Sequence, residues 1–227
     1  EISLGLVGSE MCIRDSILSS VDDSLRRLQA EYIDLLLLHR PDALMDVEEV
    51  ADTLHQLQRT GKVRRFGVSN FTSAQIELLQ SVCKVPIQVN QMQFGLMHAG
   101  MIQQGLEANM LTDGAASRDM AVLDYCRLHN ITIQAWSPLQ YGFFEGSFID
   151  NEKFPEVNDV LGRIAEERHV TKSAIAIAWI LRHPAQMQVL AGTMNPEHLV
   201  QLCEAVNIIL SRKEWYELYR AAGYILP

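Results

Sequence analysis

A chain of 227 residues, 48% of them hydrophobic, can bury a full-sized core and is too apolar to be disordered. Its formal net charge of −9, with Lys62 to Arg65 ("KVRR") as the one basic cluster, excludes a binder of the nucleic-acid backbone, which needs clustered Lys and Arg. No apolar run approaches the roughly 18 residues of a membrane span, and the first residues carry no basic n-region, so the reading is a cytoplasmic protein without membrane or nucleic-acid partners.

The opening stretch "EISLGLVGSEMCIRDS" (1–16) has a different register from everything after it. It resembles translated sequencing-adapter read-through and is read as non-native, which leaves residues 17–227 as the domain. From there the elements alternate. Ile17, Leu18, Val21, Leu25 and Leu28 share one face of a helix over 16–31. "YIDLLLLH" (32–39) is a continuous apolar run, the pattern of a parallel strand buried on both faces. A helix over 45–62 follows, with Asp46 as N-cap, Glu49 at the capping-box position and Gly61 at C′.

"RFGVSN" (65–70) predicts a strand, 72–83 a helix opened by Thr72 with Gln75, and 86–94 a strand. The loop over 95–117 either shapes a binding pocket or packs as a short extra helix. A helix over 118–130 leads to a strand over 131–138, ended by Pro138. "QYGFFEGSF" (140–148) either grips ligand or packs its own loop down. Helices over 156–169 and 172–183, a strand over 187–193, and helices over 196–206 and 212–222 complete the chain. The four cysteines, Cys12, Cys83, Cys126 and Cys203, form no C-x-x-C pair; the expectation is buried, reduced thiols and no metal site.

Strands alternating with helices predict an α/β fold with a parallel sheet. No G-x-G-x-x-G follows any strand, and polar residues recur at the strands' C-terminal ends, where a (β/α)8 barrel builds its active site. Each such residue has a plain structural explanation: His39 as a rim side chain, Ser69-Asn70 as turn chemistry, Trp136 as core, and 192–199 as an N-cap with Pro196 at N1. Gathered at one barrel mouth they suggest more. Asn70 and Gln91 match a planar carboxamide, Trp136 offers a face to a flat ring, and Gly192 to Asn195 lead into a helix N-terminus that favours an anion. Carboxamide, ring and phosphate together describe a nicotinamide dinucleotide.

"DLLLLHRPD", "GKVRRFGVSNF", "NQMQF", "AWSPL" and "GTMNPEHL", in this order, resemble the aldo-keto reductase superfamily, and "HRPD" with "LRHPA" resembles its bacterial predicted-oxidoreductase branch. The resemblance implies a TIM barrel of which only about the last five βα units are present. It implies NADP(H) as cofactor, a small-molecule carbonyl substrate, and a monomer when intact. It places His39 as the residue that orients the carbonyl, and Ser69, Asn70 and Gln91 around the carboxamide. Trp136 would stack on the nicotinamide, Ser137 and Leu139 line the pyrophosphate, and Gly192, Thr193 and Asn195 surround the adenosine phosphate. His198 stands where many relatives carry an arginine, which implies a weaker preference for NADPH over NADH. The aspartate, tyrosine and lysine of the catalytic set belong to strands absent from this chain, so the chain alone is expected to aggregate and to reduce no carbonyl. An alternative is a nicotinamide-binding sensor or regulatory subunit on the same fold.

Overall fold

The structure, a computed structural model, describes residues 13–143 and 145–227. Most of the segment read as non-native, including Cys12, therefore lies outside the described residues, as does Phe144. Residues 13–16 form the first turn of a helix. The described residues group into two compact units, one running to Gln91 and joined by Asp124–Ile131, the other holding Met92–Leu123 and Thr132–Pro227.

The first unit holds α1 (Ile13–Leu28), β1 (Ile33–Leu38), α2 (Val47–Arg59), β2 (Val63–Ser69), α3 (Ser73–Val82), the start of β3 (Ile87–Gln93) and most of α5 (Val122–Leu128). α1 begins and ends three residues earlier than its apolar pattern predicts. Gln29 takes a left-handed φ of 51° and Ala30 N–H donates to Leu25 O, which stops the helix. β1 pairs with β2, and β2 with β3, all in parallel. The leucine run is not buried on both faces. Leu36 and Leu38 are buried, but Leu35 and Leu37 are half-covered, because β1 is the edge strand. Asp34 on that edge meets Arg64 at 3.4 Å.

Caps set the helix ends. Asp46 accepts from Glu48 and Glu49 N–H, and Gly61 adopts φ 73° beyond the end of α2. The reciprocal half of the expected capping box is missing: the Glu49 carboxylate instead accepts from Arg14 N–H at 3.2 Å. Thr72 and Gln75 form a complete box at α3. The core is drawn from Val50, Leu54, Phe66, Val68, Ile76 and Leu79 among others. Cys83 and Cys126 are buried and outside any disulfide, and burial pushes the Cys83 thiol up.

The second unit holds the end of β3, α4 (Gly100–Leu106), β4 (Thr132–Trp136), α6 (Pro155–Arg168), α7 (Lys172–Leu181), β5 (Gln188–Val189), α8 (Pro196–Cys203) and α9 (Arg212–Ala221). β5 pairs in parallel with β4 but is far shorter than the 187–193 predicted; one further bond, Leu190 N–H to Ala135 O, prolongs it. The segment 118–121 is not helical, because Met120 and Ala121 both take positive φ before Asp119 caps α5. The loop after β3 contains a helix, α4, so packing rather than an open loop accounts for it. The last predicted stretch of 196–206 is a 3-10 turn, Glu204–Asn207. Cys203 is exposed, contrary to expectation, since α8 buries none of its residues.

Trp179 and Trp215 lock α7 to α9: their rings stack at 4.7 Å and each indole N–H donates to the other's backbone carbonyl, at 3.1 and 2.9 Å. Trp215 continues the stack to Tyr219, and Tyr219 to Tyr224, whose hydroxyl accepts from Ala99 N–H at 2.9 Å. No described helix is long and apolar enough to cross a membrane.

Gly67 marks the tightest approach in the first unit. A Cβ there would lie 2.7 Å from Val89 O and would also strike the Leu37 side chain. Gly67→Ala is therefore expected to destabilise the protein by about 1–3 kcal/mol through overpacking, read from the urea midpoint. An unshifted midpoint would mean that the strands can part without penalty.

Candidate active site

In the first unit the predicted residues meet at one end of the sheet, because parallel neighbouring strands run the same way. β1 runs into His39, β2 ends at Ser69 and turns at Asn70, and β3 brings Asn90 and Gln91 into register with Val68 and Ser69. Gln91 O accepts two bonds, from Ser69 Oγ at 3.0 Å and from Asn70 N–H at 2.9 Å. Asn70 Nδ2 in turn donates to Ser69 Oγ at 2.8 Å. Ser69 is 1% exposed and its single O–H is committed to Gln91 O, so it holds Asn70 in place rather than offering a donor outward. Gln91 is itself only 4% exposed, while Asn70 is half-buried.

Asn70 has φ 58°, a left-handed conformation that asparagine tolerates better than most residues. Ser137, directly after β4, has φ 49°, which is less usual for serine. Both departures fall on candidate residues at strand ends, where strained backbone commonly accompanies function.

Asn90 counts among the polar strand-end residues of the sequence but is given no role there. It is fully buried, its Nδ2 donates to Phe71 O at 2.9 Å, and its Oδ1 is buried without a hydrogen-bond partner. The signal was present as the pair of amides at 90–91, but side-chain alternation points neighbours to opposite faces. Gln91 alone matched the cofactor pattern. His39 is half-buried and borders a void of about 30 Å³ with Ile17, Leu38, Met45, Val50 and Phe71. That is room for about one water, so the void is a packing gap and not a substrate pocket.

In the second unit Trp136 ends β4 half-buried, and its carbonyl accepts from Phe94 N–H at 3.4 Å. Gly95 lies against Pro138 O so closely that no Cβ fits. Leu139 O accepts from Phe148 N–H at 3.1 Å, and the fully buried Phe148 pins the loop that follows. Tyr141 packs edge-on against Phe154 and accepts from Lys153 Nζ at 3.3 Å, so Tyr141 and Phe148 are packed down while Gly142, Phe143, Glu145 and Ser147 are exposed.

Gly192 and Asn195 are exposed and Thr193 half-buried. Asn195 caps α8 by accepting from Glu197 N–H at 2.9 Å, while its own N–H donates to Thr193 Oγ1 at 3.1 Å. Two of the N–H groups expected for a phosphate are thus engaged internally, and Glu197 adds a carboxylate to the first turn. His198 is exposed on that same turn. Among the described residues no cluster of three or more His, Cys, Asp or Glu is placed to hold a metal ion.

Residues 9–222 match the family described as the Aldo/keto reductase family. The chain is 34% identical over 224 residues to Oxidoreductase YdhF of Escherichia coli (strain K12), covering 98% of this chain and 68% of that protein. It is 36% identical over 204 residues to 6-dehydroglucose reductase of Agrobacterium fabrum (strain C58), covering 89% of this chain and 61% of the relative. An aldo-keto reductase from Klebsiella pneumoniae, solved in complex with NADPH, superposes with a TM-score of 0.70 at 26% identity, over 93% of this chain and 66% of that one. The chain therefore spans about two thirds of the length of these relatives. The strand ends and the match over nearly the whole sequence agree, and the chain belongs to the aldo/keto reductase family.

Proposed function

We propose that this chain serves an NADPH-dependent reductase that converts aldehydes or ketones to alcohols, its parallel strands forming part of a (β/α)8 barrel. The observation that carries this reading is the hydrogen-bonded end of β2 and β3 in the first unit, beside His39 at the end of β1. Two primary amides held there, Asn70 and Gln91, offer the mixed donors and acceptors that a nicotinamide carboxamide needs. Ser69 positions Asn70. The Klebsiella relative's complex with NADPH supports the choice of cofactor.

Bound NADPH would supply a hydride. The chain's own part is to hold and orient. His39 donates a hydrogen bond to the substrate carbonyl, fixing its orientation and stabilising negative charge as it develops on oxygen. Trp136, Ser137 and Leu139 line the nicotinamide and pyrophosphate, and Gly192, Thr193, Asn195 and His198 the adenosine phosphate. The proton donor is assigned to none of the tyrosines. Burial pushes the phenols of Tyr125, Tyr219 and Tyr224 up, the Glu77 carboxylate adding to the effect at Tyr125 and Glu107 at Tyr219, which makes each a weaker acid.

With the purified protein, NADPH is expected to bind saturably by nicotinamide fluorescence. Gln91→Ala should weaken it about tenfold by removing one hydrogen bond to a buried polar group. His39→Ala should leave that affinity in place while kcat with a short aldehyde falls by about 10²-fold. Absence of saturable NADPH binding would sink the reading; intact binding with no turnover of any carbonyl would favour a sensor.

His198 provides a second test. A neutral imidazole presents one donor where a guanidinium presents a fork. His198→Arg is expected to raise the ratio of NADPH to NADH affinity about tenfold. An unchanged ratio of the two dissociation constants would remove His198 from the 2′-phosphate.

A further inference from the structure

Within the second unit, α4, the end of α7 and the first turns of α9 line an open cleft of about 240 Å³ that takes no part in the proposed reaction. Its walls are Ile102 and Leu106 from α4, Arg182 and Pro184 from the end of α7, and Trp215 and Tyr216 from α9, with Arg212 and His183 also at the lining. No carboxylate lines it, in a chain whose net charge is −9.

Arg212 occupies the first helical position of α9, at the positive end of the helix dipole, where a cation is unfavourable. Neither Arg182 nor Arg212 forms an ion pair among the described residues; Arg212 lies 5.9 Å over the Tyr216 ring. Arg182 is steered: its Nε donates to Leu210 O at 2.9 Å, which anchors one guanidinium two residues along the chain from Arg212. Like charges gathered at one cavity repel unless an anion joins them.

The apolar wall is equally fixed. Trp215 is held by the reciprocal indole bonds to Trp179 and by stacking on both Trp179 and Tyr219. A ring entering the cavity therefore meets a rigid aromatic surface and loses little to reorganisation. The volume falls below the roughly 300–1,000 Å³ of sites for drug-sized molecules, so a single ring is enough to fill it.

We infer that this cavity is a binding site for a small aromatic carboxylate, its ring against Trp215, Ile102 and Leu106 and its carboxylate shared by Arg182 and Arg212. The inference is independent of the reductase reading, since none of these residues belongs to the strand-end group.

Benzoate is the probe, measured by calorimetric titration and saturation-transfer NMR on the purified protein. Binding is expected with a dissociation constant on the order of 1 mM or tighter. Arg212→Gln and Arg182→Gln should each weaken it about tenfold, and benzyl alcohol and inorganic phosphate should each bind at least about tenfold more weakly than benzoate. Gln91→Ala should leave benzoate binding unchanged. Should Arg182→Gln lose its contact with Leu210 and unfold, Arg212→Gln decides alone. The inference is overturned by the absence of saturable benzoate binding, by an Arg212→Gln protein that binds as well as the parent, or by phosphate binding as tightly as benzoate. Loss of benzoate binding in a folded Gln91→Ala protein would also overturn it, by moving the site to the strand ends.

Discussion

The carbonyl oxygen of Gln91 is the point on which the first unit's candidate site depends. It takes two donors from the neighbouring strand, the Ser69 hydroxyl and the Asn70 amide, and so closes β2 at the level of Gln91 while β3 runs on to Gln93. A strand ends cleanly only if something satisfies its last backbone groups, because the sheet ladder supplies no partner beyond its final rung. Here the sequence satisfies them with a short hydroxyl and a residue able to take φ 58°. A β-branched residue at Asn70 could not make that turn without strain.

Much of this was legible before any coordinates. Caps at Asp46, Thr72, Asn195 and Ser211 all accept from helix N–H groups, and the strong helix and strand patterns have the types expected. What sequence could not convey was competition for a group by something distant. Glu49 sits at a capping-box position, yet its carboxylate takes the Arg14 N–H, 35 residues away. Four leucines in a row read as burial on both faces, but an edge strand covers only one well. Met120 and Ala121 carry no turn signature, and their positive φ angles, set by Ser117 and Asp119 contacts, cut a predicted helix short. The strand-end group itself was legible as residue types. The commitment of Ser69's only O–H to Gln91 was not, because a hydroxyl's partner depends on register.

The second unit rests on a different device. Two tryptophans exchange indole N–H bonds to each other's carbonyls across stacked rings, so a buried donor on each is satisfied by the element it packs against. Stacking then passes through Tyr219 to Tyr224, which accepts from Ala99 just before α4. The loop after β3 is consequently tied to the C-terminal helix by hydrogen bonding as well as by apolar contact. The same rigidity shapes the arginine-lined cavity: its aromatic wall is a face of the lock.

Asn90 shows where function and stability diverge. Its neighbour Gln91 fixes the strand ends through the backbone, whereas Asn90 reaches to Phe71 O through its side chain. The turn carrying Asn70 and the Thr72 cap is thereby held to β3 by one backbone carbonyl and one side-chain amide. The arrangement leaves Asn90 Oδ1 buried without a partner, a defect of about 1–3 kcal/mol that a leucine at the same place would not carry. An apolar residue, however, would release Phe71 O and loosen the turn from one side. Keeping an amide there trades stability for a fixed Asn70, and the candidate site requires that amide to be in place before any ligand arrives.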